Sequence, residues 1–260
     1  MNSDISLVTI TWSNENSFDI ESTSLYKSFI KFNPLNKVEH FHFNRGHFYQ
    51  EEHEFYQRFG QESDYILYKI HLLKQKVKQI DSEYIIFSDA NDVVCLGNVN
   101  LLPSIYDLDS HIIVGAEKNQ WPVPEIKLTW PGFIDYSGFD VQNEFYLNSG
   151  MVLAKRENFV SMLESMESKI LSTNINTFKN DQAVYTWHYT ANHEPKIKLD
   201  YQLSFAVNTF KRSCDEFYLN KNNRLTSKST GVTPCFVHDN GWNHGSPKFR
   251  DNFNLKSLYE

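Results

Sequence analysis

Two aspartates three positions apart, Asp89 and Asp92, directly follow a short apolar run from Tyr84 to Phe87. The run is rich in β-branched and aromatic residues and too short for a surface helix, so it predicts a buried parallel strand. In open α/β sheets, ligands bind just beyond the carboxyl ends of the strands. Carboxylate oxygens at that place suit Mg²⁺ or Mn²⁺, usually together with substrate phosphates. The alternative is that one aspartate caps a turn or a following helix.

A histidine far along the chain is a candidate third ligand. His238 follows the apolar run Cys235 to Val237 and precedes Asn240 and Gly241. We expect the run to form a short strand that delivers His238 into a turn, where the imidazole could join the two aspartates. A lone histidine after a strand is more often a hydrogen-bonding residue, and that alternative stays open on these residues alone.

Three further polar residues lie near predicted element boundaries. Asn148 precedes Gly150 and an apolar run, where a turn is the alternative to a ligand contact. Asp181 stands at the start of a predicted helix, where a carboxylate is favoured with or without a catalytic role. Lys69 lies near the N-terminal end of another predicted helix and could reach an anion there, although a solvated lysine is the alternative.

The elements around these residues alternate between strands and helices, which predicts a single α/β domain without repeats or linkers. The predicted strands, besides those above, are Ile5 to Thr11, Val38 to Phe43, His111 to Ala116 and Lys196 to Asp200. The predicted helices are Ser22 to Phe32, a helix capped by Ser63 or Asp64 with apolar positions from Ile66 to Ile80, a short helix at Val99 to Tyr106, Arg156 to Leu171 and Ala183 to Tyr189. The stretch from Pro122 to Phe145 has prolines, glycines and aromatic residues without clean periodicity, which indicates a functional loop.

Composition argues against several classes of protein. The net charge of −7 disfavours non-specific binding to nucleic acid. No apolar run approaches the length of a bilayer span, and the first residues lack the features of a signal peptide. The three scattered cysteines form no CxxC pair, which argues against a zinc site and a disulfide framework. We therefore expect a cytoplasmic protein, and peripheral association with a membrane is compatible with the sequence.

Six short motifs, taken in chain order, resemble a known family. The motifs FSDANDVV, GAEKNQWP, YLNSGMVLA, NDQAVYT, LD and HDNG are similar to those of the glycosyltransferase domain of procollagen lysyl hydroxylases and of related bacterial and viral transferases. The resemblance extends from the first strand to about Pro247. It implies a GT-A fold, with a Rossmann-like central mixed sheet flanked by helices in a single domain of residues 1–260. The nucleotide and metal half would end near residue 116, with the acceptor and catalytic half after it.

The resemblance also implies an activity and its cofactors. The enzyme would use a UDP-sugar and a divalent cation, normally Mn²⁺ or else Mg²⁺, to move a galactose or glucose onto a hydroxyl of a glycan or glycoconjugate acceptor. Residue by residue, the metal ligands are Asp89, Asp92 and His238, and the catalytic positions are Asp181, Asn148 and Trp121. The nucleotide-binding positions are Thr9, Thr11, Lys69, Asn91, Asn240, Gly241 and His244.

This chain departs from the family pattern at two places. Asn91 stands between the metal aspartates, where the family commonly has an aromatic residue that stacks on the nucleoside. Trp242-Asn243-His244 replaces a Pro-Thr-Lys whose lysine reaches the diphosphate, which makes His244 the candidate substitute.

Two other functions use some of the same residues. A metal-dependent phosphohydrolase or nucleotidyltransferase would employ the two aspartates, and a non-catalytic carbohydrate-binding domain would employ Trp121, Trp130 and Trp242. Within a transferase, Asp181 could act as general base of an inverting reaction. In a retaining reaction it would orient the sugar instead, and the sequence does not choose between the two.

Overall fold

A computed structural model describes residues 4–13, 15–44, 64–118, 145–173, 180–240 and 248–260. Its strands are β1 (Ile5–Ser13), β2 (Lys37–Asn44), β3 (Tyr84–Ser88), β4 (Val93–Cys95), β5 (His111–Glu117), β6 (Tyr146–Lys155), β7 (Lys196–Asp200), β8 (Ala206–Asn208), β9 (Phe217–Leu219), β10 (Leu225–Ser227) and β11 (Phe236–His238). Its α-helices are α1 (Ser24–Phe32), α2 (Asp64–Val77), α3 (Leu102–Ile105), α4 (Arg156–Ser172), α5 (Asp181–Thr190) and α6 (Phe249–Asn252).

The central sheet has six strands in the order β2-β1-β3-β6-β5-β7. The strand β1 is parallel to both β2 and β3, while β6 is antiparallel to β3 and β5. This confirms the predicted mixed sheet flanked by helices. The expectation of a parallel strand at Tyr84 to Phe87 holds only towards β1, since the other edge of that strand pairs antiparallel with β6.

Both faces of the central sheet are buried, because neighbouring residues along each strand point to opposite sides. Val8 and Phe87 face a core formed with α2, α4 and α5. Leu7 and Ile86 face a second core, which contains α1 and the strands β4 and β11. The apolar, two-sided burial of β1 and β3 therefore follows directly from their sequences.

A second sheet of three short strands, in the order β4-β11-β8, packs against the central sheet. In it β11 is antiparallel to β4 and parallel to β8. The outer face of this small sheet is covered by the β9–β10 hairpin and by the C-terminal segment, through Phe217, Phe249 and Leu255. This sheet matters for function because β4 starts immediately after Asp92 and β11 ends at His238.

Asn148 lies inside β6, so the turn proposed as the alternative for that stretch is wrong. The pairing of β5 with β6 shifts register between Val114 and Gly115, which places Gly115 opposite Asn148. Polar side chains and a glycine are typical of turns, but here the strand continues through them. Among the described residues, no helix is both long and apolar enough to span a bilayer.

Candidate active site

The three residues predicted to bind metal lie together at the carboxyl end of β3. Asp89 follows β3, Asp92 precedes β4, and the antiparallel pairing of β4 with β11 sets His238 beside Val93. The Nε2 atom of His238 is 3.4 Å from Oδ1 of Asp92 and 3.9 Å from Oδ2 of Asp89. One ligand atom from each residue lies within 4.8 Å of the others. The fold thus assembles two carboxylates and an imidazole around one point.

The orientation of the His238 ring fits a metal ligand. Its Nδ1 atom is 2.7 Å from Oδ1 of Asn208, whose Nδ2 donates to the carbonyl oxygen of Ala116 at 3.0 Å. Because the amide nitrogen of Asn208 is engaged there, its oxygen accepts from Nδ1 of the ring. Nε2 is then the nitrogen that faces the carboxylates, and such a fixed ring is typical of metal-binding histidines. Two carboxylates in the set favour a hard cation such as Mg²⁺ or Mn²⁺.

Gly150 makes the close approach of these side chains sterically possible. A Cβ atom at this position would lie 2.4 Å from Cε1 of His238 and 2.7 Å from Oδ2 of Asp89. The carbonyl oxygen of Gly150 also accepts a hydrogen bond from the backbone N–H of Asp89 at 2.9 Å. The glycine in β6 is therefore required by the space that the cluster occupies.

The cluster is electrostatically coupled. Burial disfavours the charged form of Asp92, but the nearby His238 outweighs this effect and lowers the pKa of Asp92. Burial also disfavours the charged form of His238, whereas Asp92 and Asp89 raise its pKa above the ordinary value. Each group therefore favours the charged state of the other, and the two carboxylates attract positive charge to this point.

Lys69 connects the cluster to Asp181. Its ammonium lies 3.1 Å from Oδ1 of Asp89 and 2.7 Å from Oδ2 of Asp181, and the lysine is only 7% exposed. Burial disfavours its charge, but the two aspartates raise the pKa of Lys69 above the ordinary value. Lys69 is therefore not a solvated surface lysine, which was the alternative left open by its spacing.

Asp181 is the first residue of α5, as the sequence predicted. The preceding Asn180 caps the helix by accepting a hydrogen bond from the N–H of Ala183 at 2.8 Å. Its capping leaves the carboxylate of Asp181 to bind Lys69, while Oδ1 accepts from the N–H of Gln182 at 3.0 Å. The helix start thus presents Asp181 to the same space as Asp89.

A cavity of about 350 Å³ opens at the carboxyl ends of β1 and β3. Its lining residues are Ile10, Thr11, Trp12, Lys69, Asp89, Ala90, Asn91, Asp92 and Asp181. The hydroxyl of Thr11 is 2.7 Å from Nε2 of His40 and 3.1 Å from Nδ1 of His42, both on β2. Thr9 is fully buried, and within the described residues its hydroxyl has no hydrogen-bond partner. Among the described residues, the lining of the cavity therefore combines acidic side chains with a lysine and an aromatic ring.

Glu117, which the sequence reasoning did not assign, joins Asn148 and Asn240. It is fully buried at the end of β5, and its Oε2 accepts hydrogen bonds from Nδ2 of Asn148 at 2.9 Å and from Nδ2 of Asn240. Burial raises the pKa of Glu117 to about 7, despite the opposing effect of these amide donors. In the sequence, Glu117 could have been identified as an acidic residue directly after the apolar run of β5. For Asn208 the only available signal was its position after a short apolar run.

Several residues that the sequence predicted for the site fall in other parts of the chain. Trp121, Gly241 and His244 lie outside the described residues, as do Trp130 and Trp242. Their roles stay predictions from the sequence.

The comparisons with known proteins agree with this architecture. Residues 52–252 match the family described as PLOD GT domain, and this range covers most of the chain. The fold is similar to that in the crystal structure of a glycosyltransferase involved in the glycosylation of the major capsid of PBCV-1. The match covers 96% of this chain and 98% of that chain, with a TM-score of 0.53 and 10% sequence identity. A search of curated proteins gave no match.

The protein belongs to the PLOD GT domain family of glycosyltransferases. The family resemblance inferred from the motifs is thereby confirmed, as is the fold class. The viral enzyme supports the fold alone at this level of identity.

Proposed function

We propose that this glycosyltransferase moves a hexose, galactose or glucose, from a UDP-sugar to a hydroxyl of a glycan acceptor, and that it requires Mn²⁺ or Mg²⁺. The observation that carries the proposal is the Asp89, Asp92 and His238 cluster beside a 350 Å³ cavity. A divalent cation bound there would stabilise the negative charge that develops on the departing diphosphate. The donor set, the fixed imidazole and the space kept by Gly150 support this assignment.

Lys69 would fix the positions of both acids that it contacts. Its single ammonium contacts both Asp89 and Asp181. It would therefore hold the proposed metal ligand and the carboxylate proposed to face the acceptor at one separation. The same ammonium lines the cavity, where it would offset part of the negative charge of the aspartates when an anionic diphosphate binds. We therefore propose that Lys69 both orients Asp181 and attracts the nucleotide.

Asp181 would act on the acceptor or on the sugar. Its carboxylate lines the cavity and is held at both oxygens, by Lys69 and by the N–H of Gln182. In an inverting reaction it would take the proton of the acceptor hydroxyl, which requires a fixed carboxylate within hydrogen-bond reach. In a retaining reaction it would orient the donor sugar or stabilise positive charge at the anomeric carbon.

Asn148 and Asn240 would bind hydroxyl groups of the donor. Each donates one amide hydrogen to Glu117, and each side-chain oxygen accepts from a backbone N–H, at Gly150 and at Thr209. An amide nitrogen carries two hydrogens, so these described bonds leave one on each side chain for a ligand. Since Glu117 fixes both amides, it would preorganise them before the sugar arrives.

Thr11, Trp12 and Asn91 line the cavity and would contact the nucleoside. Thr9 lies two residues before Thr11 in β1 and is fully buried. It would therefore support this side of the cavity from the core rather than contact the nucleotide. Trp121, Gly241 and His244 keep the sugar, acceptor and nucleotide roles that the family resemblance implies.

Product analysis tests the proposal against its two rivals. The wild type is incubated with UDP-glucose or UDP-galactose, Mn²⁺ and a panel of glycan acceptors, and the nucleotide products are separated by chromatography. We expect UDP and a glycosylated acceptor, with both lost in Asp89→Ala and Asp92→Ala and retained in Asp107→Ala, which removes an exposed carboxylate. Release of phosphate or UMP instead would favour a phosphohydrolase or nucleotidyltransferase. Glycan binding without turnover, unaffected by a chelator, would favour a carbohydrate-binding domain.

A further inference from the structure

A buried carboxylate next to His238 contacts the C-terminal segment. Asp239 directly follows His238 and is fully buried. Its Oδ1 accepts hydrogen bonds from the hydroxyl of Thr209 at 3.0 Å and from the N–H of Phe249 at 3.1 Å. Its Oδ2 lies 3.3 Å from Nε of Arg250. The residue next to the histidine is thus hydrogen-bonded both to Thr209, directly after β8, and to α6.

Arg250 also reaches the loop that carries the two aspartates. Its Nη1 donates to the carbonyl oxygen of Asn91 at 3.2 Å. The next carbonyl, that of Asp92, accepts from the N–H of Asp239 at 2.7 Å. Two consecutive carbonyl oxygens of the Asp89–Asp92 loop therefore accept hydrogen bonds, that of Asn91 from the guanidinium of Arg250 and that of Asp92 from the backbone of Asp239.

We infer that Arg250 is a positioning residue for the metal centre, whose guanidinium fastens the Asp89–Asp92 loop to Asp239 and so sets the spacing between the aspartates and His238. This inference rests on the proposed function, because it concerns the affinity for a divalent cation. A guanidinium presents donors in a rigid plane and can bind a carboxylate and a carbonyl at the same time. A hydrogen-bonded framework behind metal ligands typically changes metal affinity when it is removed.

The residue that precedes Arg250 is packed in the core. The preceding Phe249 is fully buried, with its ring centroid 5.4 Å from that of Phe217. The Arg250 side chain is 23% exposed and is not among the described residues that line the cavity. Its described contacts with the site are therefore the carbonyl oxygen of Asn91 and the carboxylate of Asp239, through which it would act on the loop.

The test measures binding of Mn²⁺ alone to the nucleotide-free protein, from the electron paramagnetic resonance signal of the free ion. The variants are Arg250→Lys, which keeps the positive charge next to Asp239, and Arg250→Met, which removes it. The matched control is Arg224→Met, which removes an exposed arginine. Thermal unfolding in chelator shows for each variant that the protein is folded at the temperature of the binding assay.

We expect the dissociation constant for Mn²⁺ to rise about tenfold or more in both Arg250 variants and to stay unchanged in Arg224→Met. Wild-type affinity in folded Arg250→Lys would overturn the inference, because charge alone would then suffice, and so would wild-type affinity in Arg250→Met. A wild type that binds Mn²⁺ no better than Asp92→Asn would overturn the proposed metal site itself. The experiment therefore distinguishes a failure of the inference about Arg250 from a failure of the proposed metal site.

Discussion

Gly150→Ala should disable the metal centre with little change in the rest of the fold. The added Cβ would meet Cε1 of His238 at 2.4 Å and Oδ2 of Asp89 at 2.7 Å. Carbon atoms pack at about 3.5–4.0 Å, so the His238 ring must move by roughly 1 Å. Metal ligands hold their distances to within about 0.2 Å, and a displacement of this size costs on the order of 100-fold in affinity or rate. We therefore expect Mn²⁺ affinity and turnover to fall by about two orders of magnitude.

The stability change should be modest in comparison. Gly150 is not among the residues with positive φ, so alanine suits its backbone, whereas overpacking costs about 1–3 kcal/mol. Gly231→Ala is the control: its φ of +69° disfavours alanine by about 1–2 kcal/mol, but a Cβ there meets nothing within 4 Å. Chemical denaturation gives the free energy of unfolding, and calorimetric titration gives the Mn²⁺ affinity.

The control should lose stability and keep Mn²⁺ affinity, whereas Gly150→Ala should lose affinity. Wild-type affinity and turnover in Gly150→Ala would refute the reasoning, because Asp89 and His238 would then not need their observed separation.

Three further predictions address the residues around the cluster. Asp181→Asn should lower kcat by about 10²–10⁴-fold while the dissociation constant for Mn²⁺ stays within about threefold, and a parallel loss of metal binding would contradict a role in transfer. Asn208→Ala frees the His238 ring and should weaken Mn²⁺ binding by about 10–100-fold; an unchanged affinity in the calorimeter would show that the ring is held by other means. The folded pKa of Glu117, about 7, lies above its ordinary value of 4.5, so the stability that this carboxyl contributes is present below about pH 4.5 and is lost as pH rises through about 7. The unfolding free energy of the wild type relative to Glu117→Gln should therefore fall by about 1.4 kcal/mol per pH unit in that window, and parallel pH profiles in chelator would contradict it.

Most of the central sheet and its helices follow from local patterns. The strands β1 and β5 are rich in β-branched and other apolar residues, and β7 alternates charged with apolar residues. The helices α4 and α5 show helical spacing, so the existence and approximate bounds of these elements were predictable. The strands β4 and β8 were missed because three residues are too few for any period to show, and the equally short β11 was predicted only from the apolar residues before His238. Their places are fixed by pairing with β11, a contact between distant parts of the chain.

The chemistry of the candidate site was predictable in part, for a different reason. Asp89, Asp92 and His238 could be selected because ionisable residues directly follow apolar strands, where α/β folds place their ligands. Their mutual distances depend on the pairing of β4 with β11 and on Gly150, which no local pattern reveals. The two ion pairs of Lys69 likewise join α2 to residues after β3 and at the start of α5. Glu117 and Asn208 act through buried hydrogen bonds, and such partners become visible only in three dimensions.

Calorimetric titration of UDP tests the central claim most directly, namely that Asp89, Asp92 and His238 hold a divalent cation that receives a nucleoside diphosphate. UDP is titrated into the wild type and into Asp92→Asn, each with Mn²⁺ and with chelator. We predict that UDP binds the wild type with Mn²⁺ present, and that binding is lost or greatly weakened with chelator and in the variant. Equal affinity for UDP in chelator, or in Asp92→Asn with Mn²⁺, would contradict the account.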